Sequence, residues 1–266
     1  MPDIAVECLP VGPHQANCYL VENRETGELF LVDAGGGGEE IIRVIGDRKP
    51  VAVLATHGHY DHIAAVPEII AANGCAAVYC TAAPRDALIK KGVNGDRLRI
   101  IKPGGLIPTG PFTIRVLKGK HIVFDKRLML KTLFSPRVPA RIRELSRIVR
   151  DGRGFGEAGE TVVYHITINK NNILLLGSLN LDCIEEYPLN ADLLVLPFQG
   201  RSDISGCAIN IVRRLRPKKV LLDHFDDAFP PVSSYVDANG FETYMAREFP
   251  DIPVIVPRAG DWINIE

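Results

Sequence analysis

The chain has 266 residues, enough for one large domain or two small ones, and its 46% hydrophobic and 24% charged composition is that of a globular protein with a substantial core. Its 31 basic and 32 acidic residues leave a formal net charge of −1, which supplies no whole-chain attraction to nucleic acid or to an acidic membrane surface. No run of about 18 uncharged apolar residues occurs, and Met1 to Glu7 lacks a basic stretch leading into an apolar one, so the expectation is a cytoplasmic protein without a membrane span.

Apolar runs at Ile4 to Leu9, Asn17 to Val21 and Leu29 to Asp33 predict three successive strands, the last leading into the glycines at 35 to 38, which permit a turn. A short helix over about 39–45 precedes a buried strand, 51 to 55, that runs into His57-Gly58-His59-Tyr60-Asp61-His62. Imidazole and carboxylate suit Zn²⁺ and related divalent cations, and four of these six side chains are of those types. The chain holds seven histidines, so three within six residues is a concentration that chance placement rarely gives. In an extended turn His57 and His59 project one way and Asp61 and His62 another, which would feed two adjacent ions. Ile63, Val66, Ile69 and Ile70 then recur at helical spacing, with Pro67 confined to that helix's first turn.

A strand at 76–80, a helix over about 84–91 and strands near 98–101 and 112–117 follow, the last delivering His121. Residues 126–150 carry eight basic side chains against one acid, Glu144, and Ala140 to Val149 reads as an amphipathic helix with a glycine-rich return at 152–159. This segment is either a solvated cover for the sheet or a lid that brings positive charge to an anionic substrate. Strands near 161–168, 172–176 and 193–197 come next, then a helix starting near Ile204 with the apolar stripe Ile204, Cys207, Ala208, Ile211, Val212 and Leu215. Ser202 or Asp203 caps that helix, and Arg201 is a pocket candidate. Strand 220–222 delivers Asp223 and His224, and strands 253–256 and 262–265 close the chain. His165, mid-strand, reads as a sheet-face residue, and His14, in a turn, either overhangs the cleft or is plain loop. The cysteines at 8, 18, 75, 80, 183 and 207 form no CxxC pair and favour buried thiols over a disulfide framework.

Thr56 to His62 resembles the signature of the metallo-β-lactamase-fold hydrolases. Asn17-Cys18-Tyr19-Leu20-Val21 and Leu31-Val32-Asp33-Ala34-Gly35 are similar to the opening strands of glyoxalase II-like members, and Ala191 to Pro197 is similar to the branch that includes L-ascorbate-6-phosphate lactonase. The resemblance implies an α/β (α+β) fold, a four-layer αββα sandwich, as one domain over 1–266 with a basic, partly helical insertion at about 126–156. It places metal ions in a cleft at one edge of the two sheets. Carried onto this chain, His57, His59 and His121 bind a first divalent ion, and Asp61, His62 and His224 a second. Zinc is the expected metal, with manganese or iron as alternatives. Asp61 is also the catalytic candidate, orienting the attacking hydroxide or handling its proton.

One position departs from the pattern. The family ends a strand in Gly-Asp, whose carboxylate bridges the two ions, whereas this chain has Gly177-Ser178. The site is then mononuclear, holds its second ion weakly, or recruits another ligand. Asp182 is the nearest carboxylate, reading equally as a ligand or as a loop acid, with Asn180 and Cys183 as weaker candidates. Asp33 is a supporting or pocket residue; Asp223, Asp226 and Asp227 read either as hydrogen-bond partners for His224 or as surface acids, and Asp125 either as a partner for His121 or as a surface acid. The expected function is metal-dependent hydrolysis of a small substrate, anionic in one version: an ester, lactone, thioester or phosphodiester. The alternative is a metal-binding sensor or binding module with reduced hydrolysis. A di-iron redox role is disfavoured because such relatives carry Glu where His59 stands, and nucleic acid is not an expected partner; nothing in the sequence speaks to oligomeric state.

Overall fold

The structure is a computed structural model that describes all residues except 1–3, 13–14, 75–76, 134–149, 151–154, 156–158, 181–186, 226–234, 259 and 266. One sheet contains β1 (Ile4–Val11), β2 (Ala16–Asn23), β3 (Leu29–Val32), β4 (Ala52–Leu54), β5 (Val78–Cys80) and β6 (Leu98–Ile100), with β14 (Trp262–Ile265) beside β1. The other contains β7 (Leu106–Thr109), β8 (Phe112–Lys118), β9 (Val162–Ile168), β10 (Asn171–Leu175), β11 (Leu193–Pro197), β12 (Val220–Asp223) and β13 (Val254–Ile255). Their orders are β14-β1-β2-β3-β4-β5-β6 and β13-β12-β11-β10-β9-β8-β7. In each sheet antiparallel neighbours give way to a parallel run, β3 to β6 in the first and β10 to β13 in the second.

Burial explains the sequence pattern. All eight residues of β2 are buried, because side chains alternate between two covered faces: Tyr19 and Val21 enter the core between the sheets, Cys18 and Leu20 the core beneath the helices. The inter-sheet core is joined by an edge-to-face contact of Phe30 and Phe112 with centroids 4.9 Å apart. Helices α1 (Gly38–Ile45), α2 (Tyr60–Ile63), α3 (Val66–Asn73) and α4 (Ala82–Lys90) cover the outer face of the first sheet, and α6 (Ile204–Leu215) and α7 (Asn239–Glu248) that of the second. The result is the expected four-layer αββα sandwich. A further helix, α5 (Lys126–Leu133), follows the loop after β8.

The elements differ from expectation at several points. The stripe at 63–70 is divided between α2 and α3, with Pro67 in the first turn of the latter. Strand β7 and helix α7 were not anticipated, and α5 falls where only a basic segment was read. The helix expected at 140–149 and most of the return at 152–159 lie outside the described residues, as do His14, Cys75 and Cys183. Cys8, Cys18 and Cys80 are buried, and burial pushes the Cys80 thiol up to about 12. Among the described residues no helix is long and apolar enough to cross a membrane.

The strands deliver the candidate residues to one edge. Asp33 follows β3, the histidine cluster follows β4, His121 follows β8, Ser178 follows β10 and His224 follows β12. Two inter-sheet hydrogen bonds fix the end of β4 against β9: Tyr164 Oη donates to Ala55 O at 2.7 Å, and Val162 N to Thr56 O at 2.9 Å.

Candidate metal centre

His57, His59 and His121 come together so that one ring nitrogen from each lies within 4.8 Å of the others. Their ring centroids form a near-equilateral triangle with sides of 4.7, 4.8 and 4.7 Å. Burial, with repulsion from neighbouring histidines, holds His57 well below the ordinary imidazole value, burial lowers His59, and burial lowers His121 to about 4. All three are therefore neutral at physiological pH, the state in which imidazole donates a lone pair to a cation.

Hydrogen bonding fixes which nitrogen is free. Thr56 Oγ1 gives its one proton to Asp33 Oδ2 at 2.8 Å, so its 3.0 Å contact with His57 Nδ1 requires Nδ1 to be the donor. The lone pair of His57 is then on Nε2, which faces His59 Nδ1 at 3.0 Å. His121 Nδ1 lies 3.0 Å from Ile122 O, and a carbonyl only accepts, so its Nε2 is likewise left for the site. Such outer contacts orient metal-ligating histidines generally. Three neutral imidazoles with lone pairs turned inward suit a divalent cation with one coordination position left open.

The neighbouring position is built differently. His62 is sandwiched by two carboxylates, with Nδ1 at 2.9 Å from Asp33 Oδ2 and Nε2 at 3.2 Å from Asp61 Oδ2. Burial opposes charge on this ring, but Asp33 and Asp61 together outweigh it and raise His62 well above its usual range. Burial likewise pushes Asp61 up, and the charge and hydrogen bond of His62, helped by His59 and His224, reverse this and bring it to about 2. Ser178 Oγ lies 3.1 Å from His224 Nε2 and 3.5 Å from His62 Nε2. His224 and Asp33 both have positive φ, 52° and 58°, a conformation rare for side-chain-bearing residues and held here by the surrounding contacts.

Asp223 Oδ1 accepts from His224 N at 2.8 Å and from Asn17 Nδ2 at 2.6 Å, while Oδ2 is 3.7 Å from His224 Nε2. Asp125 does not support His121: its carboxylate accepts from Leu128 N at 2.7 Å and Ser202 N at 2.5 Å, capping α5 and fixing the 199–203 loop. Asn180 is set by Asn180 N donating to Lys120 O at 2.8 Å, and its side-chain oxygen accepts from Arg201 at 2.7 Å. Asp203, not Ser202, caps α6 by accepting from Gly206 N at 3.1 Å. Asp182, Asp226 and Asp227 lie outside the described residues. Thr56 and Asn17 were quoted in the motifs without a role; Thr56 was signalled by its place next to His57, whereas Asn17 meets a partner 206 residues away.

A cavity of about 260 Å³ opens over these groups. His59, Asp61, His62, His121 and His224 line its polar side, Tyr60, Ile122 and Phe124 its apolar wall, and Ser178 and Gln199 complete it.

Comparison with known proteins identifies the family and the fold. An uncharacterised protein of Aquifex aeolicus is 38% identical over 64 residues, 24% of this chain and 30% of that one. The probable metallo-hydrolase YqgX of Bacillus subtilis is 40% identical over 63 residues, 23% of this chain and 29% of that one. The matched stretch thus spans less than a third of either relative's length. Igni18, a metallo hydrolase from Ignicoccus hospitalis, superposes with a TM-score of 0.64 over 98% of this chain and 99% of its own, at 17% identity, which is a likeness of fold. Residues 11–172 match the Metallo-beta-lactamase superfamily, a stretch that contains the histidine cluster, His121 and Asp33, and the chain belongs to that superfamily.

Proposed function

We propose that the protein is a metal-dependent hydrolase of a small ester, lactone, thioester or phosphodiester. The observation that carries this reading is the convergence of three neutral imidazoles, two of which, His59 and His121, line a 260 Å³ cavity while His57 is buried beside them. The volume lies just below the usual range of ligand pockets, which begins at about 300 Å³, and suits a small substrate. A divalent cation on His57, His59 and His121, zinc by the nitrogen donor set, would acidify water and polarise the scissile bond. The names of YqgX and of Igni18 support the same chemistry.

The chain's own groups have separable tasks. Asp61 lines the cavity and is held ionised, with its carboxyl brought to about 2, so at neutral pH it accepts a hydrogen bond from the attacking water and orients it. Ile122 and Phe124 exclude bulk solvent from one side, and the Gln199 carboxamide is available to a polar substrate group. Among the described residues no lysine or arginine lines this cavity, so preference for an anionic substrate would fall to the metal or to the basic segment. The test is a panel of esters, thioesters, lactones and phosphodiesters offered to zinc-loaded protein, with His57→Ala expected to lower turnover by at least about 100-fold. Absence of turnover across the panel at full metal content would sink the reading in favour of a metal-binding module without hydrolysis, the alternative that Ser178 motivates.

A further inference from the structure

We infer that this chain holds one divalent ion tightly, on His57, His59 and His121, and that the adjacent position framed by Asp61, His62 and His224 takes no second ion of comparable affinity because neutral Ser178 stands where an anion would be needed between two ions. The inference rests on the metal-dependent reading above and decides between its one-ion and two-ion forms.

The two positions differ in convergence. The nitrogens of His57, His59 and His121 lie within 4.8 Å of one another, and Asp61, His62 and His224 do not meet that condition as a set. The rings of His62 and His224 stand 5.7 Å apart, against 4.7 to 4.8 Å in the first triad. Between them sits a protein group. Ser178, only 5% exposed, places Oγ 3.1 Å from His224 Nε2 and 3.5 Å from His62 Nε2, the two nitrogens a second ion would need.

The charge balance points the same way. Two dications a few ångströms apart repel strongly in a buried site, and a shared anion between them is the usual offset. A hydroxyl is neutral and offers none. Among the described residues the buried carboxylates nearby are committed elsewhere: Asp33 faces Thr56 and the Nδ1 side of His62, and Asp223 accepts from Asn17 and the His224 backbone. Asp61 is the one carboxylate lining the cavity among the described residues, and it already contacts His62 Nε2 at 3.2 Å.

Stoichiometry measures this directly. The full-length protein is stripped with a chelator, reloaded with excess Zn²⁺, desalted, and analysed for zinc per chain, with tight equivalents counted by competition against a chromophoric chelator. The expected results are one tight equivalent for the unsubstituted protein, one for Ser178→Ala, two for Ser178→Asp and none for His57→Ala. Any second ion in the unsubstituted protein should bind on the order of 100-fold or more weakly than the first. Two tight equivalents in the unsubstituted protein overturn the inference, as does a Ser178→Asp protein that folds and still holds one. If Ser178→Asp fails to fold, His224→Ala decides: unchanged stoichiometry at one supports the inference, and a fall from two to one overturns it. Failure of hydrolysis with one tight zinc would sink the enzymatic reading alone, whereas hydrolysis with two tight zincs would sink this inference alone.

Discussion

Thr56 shows how much of the site is decided by a residue that never faces the cavity. Its backbone N–H and its hydroxyl both donate to Asp33, at 2.7 and 2.8 Å, and the hydroxyl oxygen then receives His57 Nδ1–H. One carboxylate therefore sets the tautomer of His57 through Thr56 and holds Nδ1 of His62 directly. Replacing Thr56 with Val keeps the shape of the side chain but removes the acceptor, which frees His57 to protonate either nitrogen and leaves Asp33 short of a donor in a buried setting. Zinc affinity of Thr56→Val, read by chelator competition, should fall by about 10- to 100-fold, and Thr56→Ser should restore most of it. A Thr56→Val protein with undiminished affinity would show that His57 is oriented by packing alone. The neighbouring Asp125 teaches the opposite lesson: a carboxylate four residues from His121 in sequence turns instead to Leu128 N and Ser202 N.

At the scale of elements, the site depends on two loops touching backbone to backbone. A Cβ on Gly35 would lie 1.6 Å from Asp61 O, so the glycine after β3 is required by close approach of the histidine loop. Gly35→Ala must push α2 and the ligands around it away from β3, and it is expected to lower zinc affinity by at least about 10-fold and to destabilise the fold by roughly 1–3 kcal/mol. Unchanged zinc affinity and urea midpoint would show that the loops have slack. The strands that present the site were legible because they are continuous apolar runs buried on both faces, as β4 and β11 are. The placement of His224 after β12 was legible for the same reason, and that of His121 after β8 because β8 alternates buried and exposed residues as a strand with one covered face does. Strand β7 was missed because Leu106-Ile107-Pro108-Thr109 is a short edge strand with a proline and an exposed face. Helix α7 was missed because only Phe241 and Met245 of its ten residues are buried, too few for a visible stripe. The hydrogen bond of Asn17 to Asp223 was illegible because it is made across the two sheets, and only their packing brings it about.

For the whole molecule, placing three histidines where they stay neutral exchanges stability for a ready metal site. In an unfolded chain each imidazole protonates at about pH 6.5. In the metal-free fold burial lowers His57 far below that value, lowers His59, and brings His121 to about 4. Between pH 7 and 5 the unfolded chain therefore takes up protons that the folded chain refuses, and stability falls as pH falls. For the fully buried His57 the loss approaches about 1.4 kcal/mol per pH unit below 6.5, with His59 and His121 adding smaller, water-screened contributions. His62 acts in the opposite sense: raised by Asp33 and Asp61, it stabilises fully below about pH 6.5 and loses that contribution as pH rises through its native value, so it offsets little of the acid loss. Asp61, brought to about 2, contributes only below this window. The urea midpoint of chelator-stripped protein should accordingly drop from pH 7 to pH 5. His57→Gln, which has no proton to refuse, should flatten that slope, and saturating zinc should displace the loss to lower pH, because bound metal competes with protons for the same lone pairs. A midpoint that stays constant or rises between pH 7 and 5 in the stripped protein would mean that the triad relaxes into solvent without its ion and is not held ready by the fold.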